Sequence, residues 1–211
     1  YVPPPVHEMD AALGELEKYL HTNSELPLLI RLALIHYQFE AIHPFLDGNG
    51  RMGRLLITLL LCHHKILTQP LLYLSAFFER NREDYYRLLL GVSQNGLWDE
   101  WVRYFLLGVE QQSKDAVKRA ARLLETRQEY RDNLQAARSS ALLLRLIDDL
   151  FAHPVTTIKT AVASLGVTPR AARQNIDRLI ANGILKEVSG RQRNQIFIAE
   201  EIISILEAEE F

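Results

Sequence analysis

The chain has 211 residues, 48% of them hydrophobic and 24% charged, with a formal net charge of −2. That length suits one large or two small domains with a buried core, and the charge gives no global reason to expect nucleic acid or an acidic membrane surface. The single cysteine, Cys62, excludes an internal disulfide, no apolar run approaches the ~18 residues of a membrane span, and no secretory leader is visible. A cytoplasmic setting is the expectation.

Tyr1-Val2-Pro3-Pro4-Pro5 reads as a stiff, extended entry. Met9 to His21 is apolar at Met9, Leu13, Leu16 and Leu20, close to helical spacing. Thr22-Asn23-Ser24 supplies a break, and Pro27 fits the first turn of a helix over 28–42. Arg31, Gln38 and Glu40 are expected off its apolar face, and His36 in a core or hydrogen-bonded role. Pro44 disfavours the α region at His43, so this helix should end there. Leu55 to Leu61 reads as a buried helix. The adjacent Cys62-His63-His64 are not read as metal ligands, because neighbouring helical side chains diverge by about 100°. Gln69-Pro70 breaks that helix, and Leu71 to Phe78 is apolar and aromatic. Acidic residues before Tyr85 suit a helix N-terminus. Gly91 to Gly96 reads as a turn, and Trp98, Trp101, Tyr104 and Phe105 recur at helical spacing as core. Residues 113–138 form a long polar helix of the kind that bridges domains. The boundary is expected near Ala136 to Ser140.

The remainder reads as helices over 141–151, 157–165 and 170–182, then strands over 185–188 and 195–198. Gly166 stops the second helix, Thr168-Pro169 opens the third, Gly183 caps it, and a terminal helix over 202–206 covers the seam. Helix-turn-helix followed by a two-stranded wing resembles a winged-helix domain. Its second helix would present Arg170, Arg173, Gln174 and Arg178, and its wing Arg191 and Arg193. Between Phe151 and Gln195 there are seven Lys or Arg against two Asp or Glu, a modest footprint for DNA phosphates. The alternative is a packing or dimerisation module with a solvated basic face.

The chemistry concentrates in His43-Pro44-Phe45-Leu46-Asp47-Gly48-Asn49-Gly50-Arg51-Met52-Gly53-Arg54. Gly48-Asn49-Gly50 can turn backbone N–H groups inward, and the following helix would open on the loop with its positive end. Arg51 and Arg54, three apart in the first turn, can point at one anion and fork onto phosphate. Asp47 offers a hard oxygen to a phosphate-bridging Mg²⁺, and a histidine ordinarily changes charge near neutrality, as a general base must. Base, carboxylate, anion nest and charge clamp together describe phosphoryl or nucleotidyl transfer.

This stretch resembles the Fic motif, His-Pro-Phe-x-Asp/Glu-Gly-Asn-Gly-Arg-x-x-Arg, at every specified position, and the likeness extends from Tyr1 to about Glu110. The fold implied is mainly α: a Fic catalytic core over 1–112, a linking helix over 113–138 and a small winged helix-turn-helix domain over 139–211. Most proteins that look like this transfer AMP from ATP to a target protein's hydroxyl, which makes ATP and Mg²⁺ the expected small-molecule partners. By resemblance, His43 takes the proton from a Ser, Thr or Tyr, and Asp47 holds Mg²⁺. Gly48, Asn49, Gly50 and Arg51 form the anion hole, Arg54 reaches the terminal phosphate, and Tyr85 of the Tyr85-Tyr86 pair lies against adenine. Asn95 is a second candidate contact to the ribose or base. The family's target-pinning hairpin and inhibitory pattern Ser/Thr-x-x-x-Glu-Gly/Asn are absent from 1–211, which suggests a piece of a longer protein. Other readings are transfer of another phosphate-containing group, removal of AMP, or a DNA-binding regulator whose Fic-like part senses nucleotide. The target and any homodimer stay open.

Overall fold

The computed structural model describes residues 3–22, 24–68, 72–136 and 141–207. Tyr1-Val2, the break at Asn23, the break at Gln69-Pro70 with Leu71, residues 137–140 of the expected boundary, and Glu209 and Glu210 lie outside the described residues. Two compact units form, Tyr1–Ala116 and Val117–Phe211.

In the first unit, α1 (Val6–His21) and α2 (Leu28–Ile42) precede α3 (Asn49–His63), α4 (Leu74–Arg80), α5 (Arg82–Asn95) and the start of α6 (Trp98–Ala136). Helix α2 is its centre. Its sequence is apolar nearly all round, and such a helix is stable only when covered on most sides. Leu32, Ala33, Ile35, His36 and Ile42 are accordingly almost inaccessible, packed with Ile57, Leu61, Phe77, Phe78, Trp101 and Phe105. Trp101 fixes α6 to α2 by donating its indole N–H to the Ala33 carbonyl at 2.9 Å.

Several expectations change here. Arg31 is buried, because its guanidinium donates to the carbonyls of Tyr19 (3.1 Å) and Thr22 (3.0 Å), and so satisfies the end of α1. Glu40 is likewise nearly enclosed, its side chain 10% exposed. The turn expected from Gly91 is helix through Asn95; only Gly96 adopts the left-handed conformation, at φ 66°. The polar helix starts at Trp98, because the change in composition at residue 113 alters what covers the helix and leaves its backbone hydrogen bonding intact. Trp101 and Phe105 are core, but Trp98 is 40% exposed.

The second unit takes the rest of α6, then α7 (Ala141–Ala152), β1 (Val155–Thr157), α8 (Ile158–Leu165), α9 (Pro169–Ala181), β2 (Lys186–Glu187), β3 (Ile196–Ile198) and α10 (Glu200–Glu207). Thr168 caps α9 by accepting from the Ala171 N–H, with Pro169 in the first turn. The sheet is antiparallel in the order β1-β3-β2, with Val155 opposite Ile198 on one side and Lys186 opposite it on the other. Strand β1 was not expected. Three residues are too few for an alternating pattern, and the strand exists because β3 offers it an edge. Leu143, Ile147, Ala172, Ile176, Leu179, Phe197 and Ile202 fill the core. Helix-turn-helix plus wing is thus the observed arrangement, in a mainly helical chain. Among the described residues no helix is long and apolar enough to cross a membrane.

Candidate active site

The loop between α2 and α3 is built by local backbone constraints. His43, barred from the α region by Pro44, takes the left-handed conformation at φ 51°, ψ 56°, rarely adopted outside glycine, and closes α2 with an N–H to the Phe39 carbonyl at 3.0 Å. Its Nδ1 lies 3.3 Å from the Glu40 carbonyl, which ties the half-buried ring back to its own helix. Gly48 alone in the loop's Gly-Asn-Gly run is left-handed, at φ 82°; Gly50 already belongs to α3.

Asn49 shuts the loop. Its buried side chain accepts from the Phe45 N–H at 2.9 Å and donates to the Phe45 carbonyl at 2.6 Å. No side chain caps α3, so its first amides keep the donors and partial positive charge that bind anions. Arg51 and Arg54 separate: Arg51 pairs with Asp47 at 3.1 Å in solvent, while half-buried Arg54 donates its Nε to Ser75 Oγ at 2.8 Å. Asp47 is 91% exposed, and among the described residues no group of three His, Cys, Asp or Glu could hold a metal by itself. One hard oxygen at a phosphate loop still fits Mg²⁺, which commonly takes one carboxylate and completes its shell with substrate phosphates and water.

Beneath the loop lies a polar layer within the apolar core. His36 is fully buried, stacked on Phe78 and Trp101, with Nε2 3.0 Å from the Tyr85 hydroxyl. Burial pushes its imidazole down to about 3, so the ring is neutral. Burial pushes the Glu40 carboxyl up, against the opposing pulls of His43, Arg54 and Tyr85. Both groups meet α3 where it lacks side chains: a Cβ on Gly53 would lie 2.5 Å from Glu40 Oε1 and 3.1 Å from the His36 ring.

A cavity of about 380 Å³ opens beside His43, walled by Tyr37, Glu40, Arg82, Tyr86, Leu89 and Ser93. The two tyrosines of the pair differ in their surroundings. Tyr85 is 5% exposed, its ring against Phe78 and its hydroxyl beside His36, so it faces the core. Tyr86, 55% exposed with the Arg82 guanidinium 5.6 Å from its ring centre, faces the cavity. Successive helical side chains diverge by about 100°, and which one turns inward depends on what covers α5. Asn95 is exposed at the end of α5, outside the cavity lining. Glu40, Ser75 and Arg82 were missed as site residues. Glu40 had a readable signal, falling four residues after His36 and three before His43 on one helix face.

Residues 1–61 match the Fic/DOC family. A probable protein adenylyltransferase of Aquifex aeolicus (strain VF5) is 33% identical over 85 residues, which are 40% of this chain and 24% of that protein. The Fic protein adenylyltransferases of Drosophila yakuba and Drosophila ananassae are 40% and 41% identical, over 29% of this chain and 13% of theirs. The chain therefore spans about a quarter or less of the length of these curated relatives. A crystal structure of a Fic family protein from Desulfovibrio desulfuricans G20 shares the fold at a TM-score of 0.53 and 24% identity, across 94% of this chain and 57% of that one.

In the second unit the expected basic residues divide. Arg170, Arg178, Arg191 and Arg193 are exposed. Arg173 is engaged internally: it pairs with Asp177 at 2.8 Å, hydrogen-bonds Gln195 and lies over the Phe197 ring, 5.8 Å from its centre.

Proposed function

We propose that the N-terminal unit transfers AMP from ATP to a hydroxyl of a target protein, with His43 as general base. What supports the reading is one loop, pinned by Asn49, that carries an imidazole, the uncapped start of α3, Arg51 and Arg54 next to a cavity large enough for a ligand. Adenylyltransferase names among the relatives point the same way.

His43 removes the target's hydroxyl proton as the oxygen attacks the α-phosphorus. The bond from that phosphorus to the bridging oxygen breaks, and diphosphate leaves with the electron pair. Negative charge grows on the phosphate oxygens, where the α3 amides of Asn49, Gly50 and Arg51 and the two guanidinium groups oppose it. The loop is closed by Asn49 beforehand, so its donors need little reorganisation. Arg54 leaves Ser75, or shares it, to reach the terminal phosphate. Asp47 would hold Mg²⁺, which supplies positive charge against the phosphates. Tyr86 and Arg82 form the wall on which the base stacks, the role first given to Tyr85.

The test uses ATP labelled at the α- or γ-phosphate, with cell extract and with the protein alone, beside His43→Ala. Label retained on protein from the α position only, and lost in the variant with ATP binding nearly unchanged, is the expected result. Transfer retained by His43→Ala would remove the base assignment.

A second reading concerns the other unit. The exposed Arg170, Arg178, Arg191 and Arg193 on helix and wing support contact with DNA phosphates. Salt-dependent binding to duplex DNA, weakened by replacing Arg170, Arg191 and Arg193 with Ala, is expected; duplex affinity unchanged in that triple variant, or no binding at all, removes the reading.

A further inference from the structure

The Glu40 carboxyl has no part in the chemistry above, yet it occupies the ground between the phosphate loop and the core. Its Oε1 is buried without a hydrogen-bond partner. From its own helix His36 Nε2 lies 4.0 Å away and His43 acts on the carboxyl electrostatically from the helix end; Arg54 of α3 acts on it in the same sense, and Tyr85 of α5 hydrogen-bonds it. Arg82 and Tyr86 share the cavity that Glu40 lines. The relation to Arg54 is the informative one. A Cβ placed on Gly50 would lie 3.0 Å from Arg54 Nη1 and 3.9 Å from Glu40 Oε1. Guanidinium and carboxyl therefore approach the same bare point of α3, at the turn where an anion would bind.

An anion that takes over Arg54 weakens the positive charge which that guanidinium offers Glu40. It also brings negative charge toward a carboxyl already short of donors, and both changes favour the protonated form. The cavity beside His43 gives solvent a route to that carboxyl.

We infer that Glu40 couples the phosphate site to a proton: its carboxylate stands near Arg54 without pairing to it, and takes up a proton from solvent when the nucleotide's phosphates engage Arg54. This rests on the nucleotide reading and adds a regulation to it. The complex then holds more protons than the free protein, so binding tightens as pH falls through the Glu40 window. Burial has already moved that window above the ordinary carboxylate range. His36 contributes nothing near neutrality, being neutral until about 3. Arginine and tyrosine keep their charge states there, and His43 is present in both proteins compared below.

The experiment is calorimetric titration of the full chain with α,β-methylene-ATP and Mg²⁺ in two buffers of different ionisation enthalpy, for the wild type and Glu40→Gln. The buffer-dependent heat counts protons taken up, independently of any transfer. The wild type is expected to take up a proton fraction that Glu40→Gln does not. Between about pH 5.5 and about pH 8 its dissociation constant should also rise about threefold to tenfold more than the variant's, tenfold corresponding to a coupling of one pKa unit. Equal proton uptake and equal pH slope in the two proteins would overturn the inference while leaving the nucleotide reading in place. Absence of uptake in the wild type overturns it whatever the variant does. Failure of the wild type to bind the analogue removes both readings.

Discussion

Gly53 tests how α2 and α3 are held together. In an exposed helix interior, Gly→Ala stabilises by ~1 kcal/mol, because alanine loses less backbone entropy. Here the added methyl would stand 2.5 Å from Glu40 Oε1 and 3.1 Å from two atoms of the His36 ring. Neither neighbour yields freely: the ring is stacked on Phe78 and Trp101, and the carboxyl is nearly enclosed. Overpacking of this kind costs ~1–3 kcal/mol. With the propensity gain subtracted the range is ~0–2 kcal/mol, and the 2.5 Å approach to Glu40 Oε1 puts Gly53→Ala in its upper half, a net destabilisation of the first unit. Both tryptophans, Trp98 and Trp101, lie in the first unit, and Trp101 stacks on His36 at 6.0 Å between ring centres. Tryptophan fluorescence during denaturant unfolding thus reports on this unit. Removing the carboxyl with Glu40→Ala clears the closest contact. In that background Gly53→Ala should be nearly neutral, giving a coupling of ~1 kcal/mol or more in a double-mutant cycle. A single Gly53→Ala variant as stable as the wild type, or more so, would refute the packing described here.

Two further outcomes follow. Asn49→Ala removes both bonds to Phe45, whose backbone groups are only part-buried, which should cost ~0.5–1.5 kcal/mol and weaken nucleotide binding at least as much as it weakens folding; unfolding and calorimetry on one preparation check this, and unchanged nucleotide affinity would show that the loop needs no clamp. The second concerns pH. The folded protein holds His36 well below its ordinary value, so the unfolded chain binds the proton first, and stability present above about pH 6.5 is lost as pH falls toward about 3. Glu40, raised in the fold, titrates with the opposite sign. In Glu40→Gln, free of that compensation, fluorescence-monitored stability should fall by ~1.4 kcal/mol per pH unit below about pH 6.5, and a flat profile there would contradict a neutral, buried His36.

Much of the backbone was legible in the sequence because it is set by neighbours in the chain. Pro44 expels His43 from the helix, Gly48 turns the loop, and Thr168-Pro169 starts α9 with hydroxyl and ring in the positions a helix N-terminus favours. The apolar period likewise marked α2 and the helices of the second unit, since a repeat of 3.6 residues survives without knowledge of what it packs on.

Only the tertiary structure decided which faces are covered. Arg31 reads as a surface residue until the end of α1 presents its carbonyls. Tyr85 and Tyr86 are chemically identical, and the burial of α5 against His36 and Phe78 determines which of them reaches the cavity. Strand β1 depends wholly on the edge of β3. Glu40 needed the bare turn of α3 laid across it before its carboxyl and Arg54 could share one point of the helix. Spacing along a chain fixes local conformation and the direction of a side chain on its own element. The environment that gives the side chain its charge state and its partner comes from other elements, distant in sequence.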